Sequence, residues 1–360
     1  MIFMSVEDLR PGMQLALPLH NKEGHTLLGP NVELSAAFIA RLQDLGYWAV
    51  WVDDEDARDI VYEPMLSEPT QMGAVAAIRD LFGLAAREMR TIRATTTNMH
   101  VALASVRFQQ RFWEHPAIEK LKEHAAIVVS ELGDSPTLGG VHSIRNYDGY
   151  QYYHALDVAI EAVMLARRLD YDVETLLKLA IGCMLHDIGQ LFVDETILNK
   201  PGHLSVEEFA EMQEHAALGA AFIRSCLRLG PIAAEVANQH HERQDGSGYP
   251  RGLTGMNVLT TRRDINPPGR VSPLGEIAAI ADFHDACSSD QVYRKGHPPD
   301  RSWRMLKSRG GSHFNRELLN LFLEILPPFP IGTQVIVTEG EWEQCCGVVA
   351  RRGDVMHQPV

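Results

Sequence analysis

The stretch Leu185-His186-Asp187-Ile188-Gly189 governs the reading of this chain. It closes the run Val173–Leu185, in which Leu176, Leu177, Leu179, Ala180 and Met184 recur with helical period. An imidazole and a carboxylate side by side, just past an apolar helix, can each offer a lone pair to a metal ion. Alone, such a pair is more often a surface or capping pair. Its weight comes from the donors around it: His154 upstream, then His215, His240-His241 and Asp282 downstream. Each stands on or at the end of a stretch with helical period, on its apolar side. Read singly, His154 is a core or surface histidine, His215 an exposed helix residue, and Asp282 a carboxylate paired with arginine. So many coincidences are less economical than one metal site.

Side chains converging from facing helices are how a helical bundle builds a metal centre. The seven donors His154, His186, Asp187, His215, His240, His241 and Asp282 exceed what one tetrahedral zinc requires. They suit two octahedral ions, with Asp187 as the natural bridge. Mixed imidazole and carboxylate donors without thiolate favour iron or manganese. Two such ions about 3.5–4 Å apart clamp a phosphodiester and turn a bridging water into hydroxide. The chemistry expected is in-line phosphodiester hydrolysis.

The rest of the composition narrows the partners. The 360 residues are 45% hydrophobic and 22% charged, with a formal net charge of −14. So acidic a surface argues against a nucleic acid polymer or an anionic membrane as a non-specific partner. No run approaches the roughly 20 apolar residues of a membrane helix, so no membrane insertion is expected. Met1 to Asp8 lacks the basic region of a secretory signal. Cys183, Cys226, Cys287, Cys345 and Cys346 form no Cys-x-x-Cys pair and read as reduced thiols of a cytoplasmic protein.

The pattern predicts a mainly α chain in four parts. Residues 1–66 read as a small mixed α/β module: a strand over Leu15–Leu19, a hairpin turn at Asn21–Gly24, a helix over Leu34–Leu45 and a strand over Tyr47–Val52. Glu63 to Pro69 reads as a linker. Residues 67–146 read as a helical spacer, helical over 71–131. It either transmits signals or forms a homodimer, or else lies as a layer on the next domain. Residues 147–329 read as the helical metal domain. Ser205-Val206-Glu207-Glu208 fits a capping box, and Pro231 and Pro273 fit first helical turns. Gly252 to Val271 reads as a long loop, and residues 330–360 as a short β-module.

The run His240-His241-Glu242-Arg243-Gln244-Asp245-Gly246-Ser247-Gly248-Tyr249-Pro250 closely resembles the signature of the HD-GYP family, a subgroup of the HD-domain metal-dependent phosphohydrolases. The resemblance covers about half of the chain, from near Tyr147 to Leu326. His186-Asp187-Ile188-Gly189, Ile197 to Gly202, His215-x-x-x-Gly219 and Ala281-Asp282-x-x-Asp285-Ala286 support it. It implies an HD-type helical bundle that hydrolyses cyclic di-GMP to linear pGpG or onward to GMP. Its metal ligands fall on the seven donors above. It also implies that Gly248, Tyr249 and Pro250 shape the substrate pocket, and that Arg294 and Lys295 hold phosphate.

The chain departs from the family in ways that bear on activity. Gln190 stands where the family usually has lysine near the scissile phosphate, so the expected catalytic set is His186, Asp187 and Gln190. A glutamine can hydrogen bond there but supplies no cation. Gln291-Val292 replaces a usual Arg-Pro. Tyr150 stands where some members carry a glutamate that adds a third ion, so two ions are expected. The loop between Gly255 and Pro273 is long, and its Arg262, Arg263 and Arg270 offer replacement phosphate contacts. A cyclic di-GMP phosphodiesterase is the leading expectation. A slow receptor, or a phosphohydrolase of another nucleotide such as a mixed cyclic dinucleotide, is the alternative.

Overall fold

The computed structural model describes residues 1–20, 26–45, 47, 49–57, 60, 64–93, 98–133, 137–139, 150–259, 267–289, 296–351 and 353. The chain opens with a small module. Strands β1 (Ile2–Ser5) and β2 (Gln14–Leu15) pair antiparallel with the two edges of a third strand, Ala49–Asp53. Between them β3 (Leu19–His20) pairs with β4 (Thr26–Leu28), and Ala49–Asp53 is β5. The strand expected over Leu15–Leu19 is therefore two short strands. Helix α1 (Ala36–Asp44) is capped by the Ser35 hydroxyl, which accepts from the Phe38 N–H. It lays Ile39 and Leu42 into one core with Val50 and Val52. The hairpin turn expected at Asn21–Gly24 lies outside the described residues.

Helices α2 (Glu68–Arg93), α3 (Met99–Ala104), α4 (Val106–Gln109) and α5 (Pro116–Leu132) follow. The run expected as helical over 71–131 is thus interrupted, and for local reasons. Asn98 and His115 take extended backbone as N-caps, and Pro116, lacking an N–H, stands at the start of α5. The expected linker is shorter than its 63–69 bounds, since α2 already begins at Glu68. Helices α2 and α5 pack as a layer against the helices that follow. Ile78 and Leu81 of α2 and Leu121 and Val128 of α5 share one apolar core with the helices that follow.

Those helices are α6 (Tyr150–Arg167), α7 (Val173–Met184), α8 (Glu195–Leu198), α9 (Val206–Phe222), α10 (Gly230–Gln239), α11 (Pro273–Ser288), α12 (Pro299–Lys307) and α13 (Arg316–Ile325). Every residue of α6 from His154 to Ala166 is buried, so this helix runs through the middle of the bundle rather than along its surface. Short-range chemistry sets the boundaries as anticipated. Ser205 and Glu208 form a reciprocal capping box on α9, and Pro231 and Pro273 lie in the first turns of α10 and α11. The chain ends in the hairpin of β6 (Gln334–Ile336) and β7 (Cys346–Val348), whose Val348 packs against the core of the N-terminal module. Among the described residues, no helix is long and apolar enough to cross a membrane.

One crossing positions the candidate site. After α7 the chain makes a tight 3-10 turn over Ile188–Phe192, and this turn meets α9 backbone to backbone. A Cβ on Gly189 would overlap the His215 carbonyl oxygen and stand 2.7 Å from the Gly219 nitrogen. Two glycines, Gly189 and Gly219, therefore let the His186-Asp187 turn approach the helix that carries His215. Gly189→Ala should force these elements apart. We expect a lower melting temperature, a cost of about 1–3 kcal/mol from overpacking, and a smaller bound-metal content by elemental analysis.

Candidate metal centre

The seven donors come from five helices. His154 lies in α6, His186 and Asp187 just past α7, His215 in α9, His240 and His241 at the end of α10, and Asp282 in α11. They form two adjacent groups: Asp187, His215, His240 and His241, and His154, His186 and Asp282. Within each group the donor atoms lie within 4.8 Å of one another. The carboxylates link the groups. Asp187 turns Oδ1 to His215 Nε2 (3.4 Å) and His240 Nε2 (3.8 Å), and Oδ2 to His186 Nε2 (3.5 Å). Asp282 Oδ1 faces His154 Nε2 (3.2 Å) and His186 Nε2 (3.6 Å), while its Oδ2 is 4.0 Å from His241 Nδ1.

The imidazoles are tied from behind. Nδ1 of His186, His215 and His240 lies 2.7, 2.7 and 2.9 Å from the carbonyl oxygens of Cys183, Met212 and Ala237, each three residues earlier. A carbonyl can only accept, so each Nδ1 carries the proton and donates, and each Nε2 keeps a lone pair directed into the centre. His154 Nδ1 meets the buried Asp285 carboxylate at 2.6 Å, and Ser289 donates its hydroxyl to the other Asp285 oxygen at 3.0 Å. A carboxylate behind a histidine is the usual second support of a metal ligand.

The electrostatics fit the same reading. Burial pushes His240 well below and His241 down to about 3, and neighbouring histidines add to the effect, so both are neutral donors. Burial would raise Asp187 and Asp282, yet the histidines around them hold both below the ordinary carboxylate range. Burial also opposes charge on His154, but Asp282 and Asp285 overcome it and raise that residue to about 10. His186 Nε2 is fully buried and has no hydrogen-bond partner. A buried nitrogen with no partner is costly unless something accepts its lone pair. The neutral rings of His240 and His241, the ionised Asp187 and Asp282 and this orphaned nitrogen are donor chemistry that divalent metal ions take, and a bound ion would displace the proton that the carboxylates hold on His154.

The Gly248-Tyr249-Pro250 loop closes one side. Its path is set by Glu242, a buried carboxylate that accepts from the N–H groups of Arg251 and Leu253, each at 2.8 Å. Gly248 is required, because a Cβ there would press on backbone atoms of His241, Glu242 and Arg243. The Tyr249 ring lies over His241, centroids 4.6 Å apart. Gln190 sits in the 3-10 turn, and Tyr150 stacks on His154 with centroids 5.5 Å apart. Arg294, Lys295, Gln291, Val292, Arg262 and Arg263 lie outside the described residues. Arg270 donates to Thr254 Oγ1 (2.6 Å) and the Gly255 carbonyl (3.0 Å), so it braces its own loop.

Asp285, Glu242 and Arg243 were not singled out from the sequence for any role. Asp285 had a usable signal, since it follows Asp282 by one helical turn and so shares its face. Arg243 is a cation whose field reaches His241 and Tyr249. A buried pair, Glu161 and His284 (2.7 Å), continues the polar seam between α6 and α11 beyond His154. His284 is buried in it.

Comparison with known proteins follows this geometry. A family model described as HD domain matches residues 155–318. Cyclic di-GMP phosphodiesterase PA4108 of Pseudomonas aeruginosa is 27% identical over 85% of this chain and 71% of its own length. A 3′3′-cGAMP-specific phosphodiesterase of Vibrio cholerae is 36% identical over 39% of this chain, and a cyclic di-GMP phosphodiesterase of Thermotoga maritima is 36% identical over 41%. The chain spans only 24% and 37% of those two proteins' lengths. Two substitutions test the centre. Asp187→Ala should lose bound metal from both donor groups, read as metal per chain. Asp285→Asn should fold and keep the ligands but weaken metal affinity about 10- to 100-fold, read by competition with a chelator.

Proposed function

We propose that this chain is a member of the HD-domain family, in its HD-GYP branch, and a phosphodiesterase that opens cyclic di-GMP to linear pGpG, with GMP as the product of a second cut. The observation that supports it best is the convergence of seven donors, buried or half-buried, into two adjacent groups joined by Asp187. Two divalent ions, iron or manganese, would supply the positive charge and activated water that phosphodiester cleavage needs. The bulk of this acidic chain cannot furnish that charge.

The chain's own residues do the positioning. Asp187 presents one oxygen to each donor group, and Asp282 joins the same groups from the opposite helix. Asp285 fixes the His154 ring. Glu242 holds the Gly248-Tyr249-Pro250 loop, so that Tyr249 walls the centre beside His241. Tyr150, in place of a third ion's ligand, covers the His154 face, consistent with two ions. Arg243, and with it Arg294 and Lys295, would meet substrate phosphate. Gln190 contributes a hydrogen bond only.

The Gln190 position also favours a second reading, a receptor that binds cyclic di-GMP and turns it over slowly. One experiment separates the two. Protein purified with iron or manganese under reducing conditions is incubated with cyclic di-GMP and with 3′3′-cGAMP, and the products are chromatographed. We expect pGpG from cyclic di-GMP. Tight binding with no product after hours would establish the receptor, and cleavage of 3′3′-cGAMP alone would reassign the substrate. Gln190→Lys should raise kcat/KM about tenfold, or roughly 1.4 kcal/mol of transition-state stabilisation.

A further inference from the structure

The helix that supplies His215 also carries a side chain the metal chemistry does not use. Phe209 lies in α9 six residues before His215, and 48% of its surface is exposed. Val206, one turn earlier, is 82% exposed. An exposed phenylalanine by itself means little. This one is not isolated: its ring meets Tyr249 edge to face, centroids 6.1 Å apart and planes at 82°. Tyr249 in turn lies over His241 at 34° and meets His215 edge-on at 80°. An unbroken path of rings therefore runs from two metal-type ligands out to solvent.

The two walls of this path are built differently. The inner one is held by backbone: Glu242 fixes the loop behind Tyr249, and the Tyr249 N–H donates to the His241 carbonyl at 3.2 Å. The outer one is held by the helix, where the Phe209 N–H donates to the Ser205 carbonyl at 2.8 Å within the capped first turn. The loop that carries Tyr249 and the helix that carries Phe209 are thus set before any ligand arrives, so only the exposed Phe209 side chain needs ordering on binding. Two aromatic rings at a right angle present a face and an edge at the mouth, the geometry that receives a flat heterocycle.

We propose that Phe209 and Tyr249 form a subsite for a purine base at the rim of the metal centre, with Phe209 as the residue that grips the base. The inference rests on the reading of the seven donors as the place where phosphate binds. It goes beyond that reading by assigning the base, rather than the phosphate, to a residue outside the signature run. Phe209 acts on affinity and base selectivity and leaves the donor groups untouched.

The test uses a monoester, so nothing is cleaved. Dissociation constants of GMP and of ribose 5-phosphate, which lacks a base, are measured by calorimetry on the metal-loaded protein. In the wild type GMP should bind about tenfold tighter or more, the scale of one base stacked on an aromatic ring. F209L keeps apolar bulk on the helix but removes the ring, and should bring the two constants nearly together with metal per chain unchanged. F209W should retain the difference. A wild-type ratio near one, or an F209L ratio equal to wild type, overturns the proposal. Failure of the phosphodiesterase reading shows elsewhere, as intact cyclic dinucleotide in the chromatogram.

Discussion

Five imidazoles and two carboxylates packed together inside a helical bundle are tolerable only if each is held from its far side. Three of the histidines meet this by donating Nδ1 to a carbonyl one turn back, and a fourth, His154, leans on Asp285. The arrangement has two effects. It fixes the tautomer, so that the free lone pairs face one another, and it leaves a concentration of donors that only cationic charge can relieve. The buried His186 Nε2, with nothing to bond, is the sharpest expression of this.

The bundle is built to keep that centre narrow. The glycine crossing brings the His186-Asp187 turn against α9, and without it Asp187 could not reach both His215 and His186. The N-terminal helices then clasp the same elements. Arg93, at the end of α2, donates to the carbonyls of Leu191 and Val193, which flank the exit of the 3-10 turn. Trp113 donates to the Ser225 carbonyl beyond α9, and its ring lies under the Arg228 guanidinium, 3.6 Å from the centroid.

Much of the fold was legible because it is local. The capping box at Ser205, the prolines at the starts of α10 and α11, and the apolar period of α7 depend on neighbours within a turn or two. Where the reading slipped, distance along the chain was the reason. The interruptions in 71–131 come from caps too brief to disturb the apolar period. The packing of α2 and α5 into the central core depends on α6 and α7, which lie far away in sequence. Glu242 looked like one more residue of a signature, and only the path of residues 251 and 253 shows what it holds.

By itself, the sequence determined the identity and order of the seven donors and the helical class of the elements that bear them, because residue chemistry and helical period are written one position at a time. Only the tertiary structure decided how the donors divide into two groups and which nitrogen of each ring is free. It alone decided which carboxylate stands behind His154, and that Phe209 meets Tyr249. Those are relations between residues tens of positions apart. They arise from the angles at which helices pack, and the closeness of that packing at Gly189 and Gly219 exists only once the chain has folded.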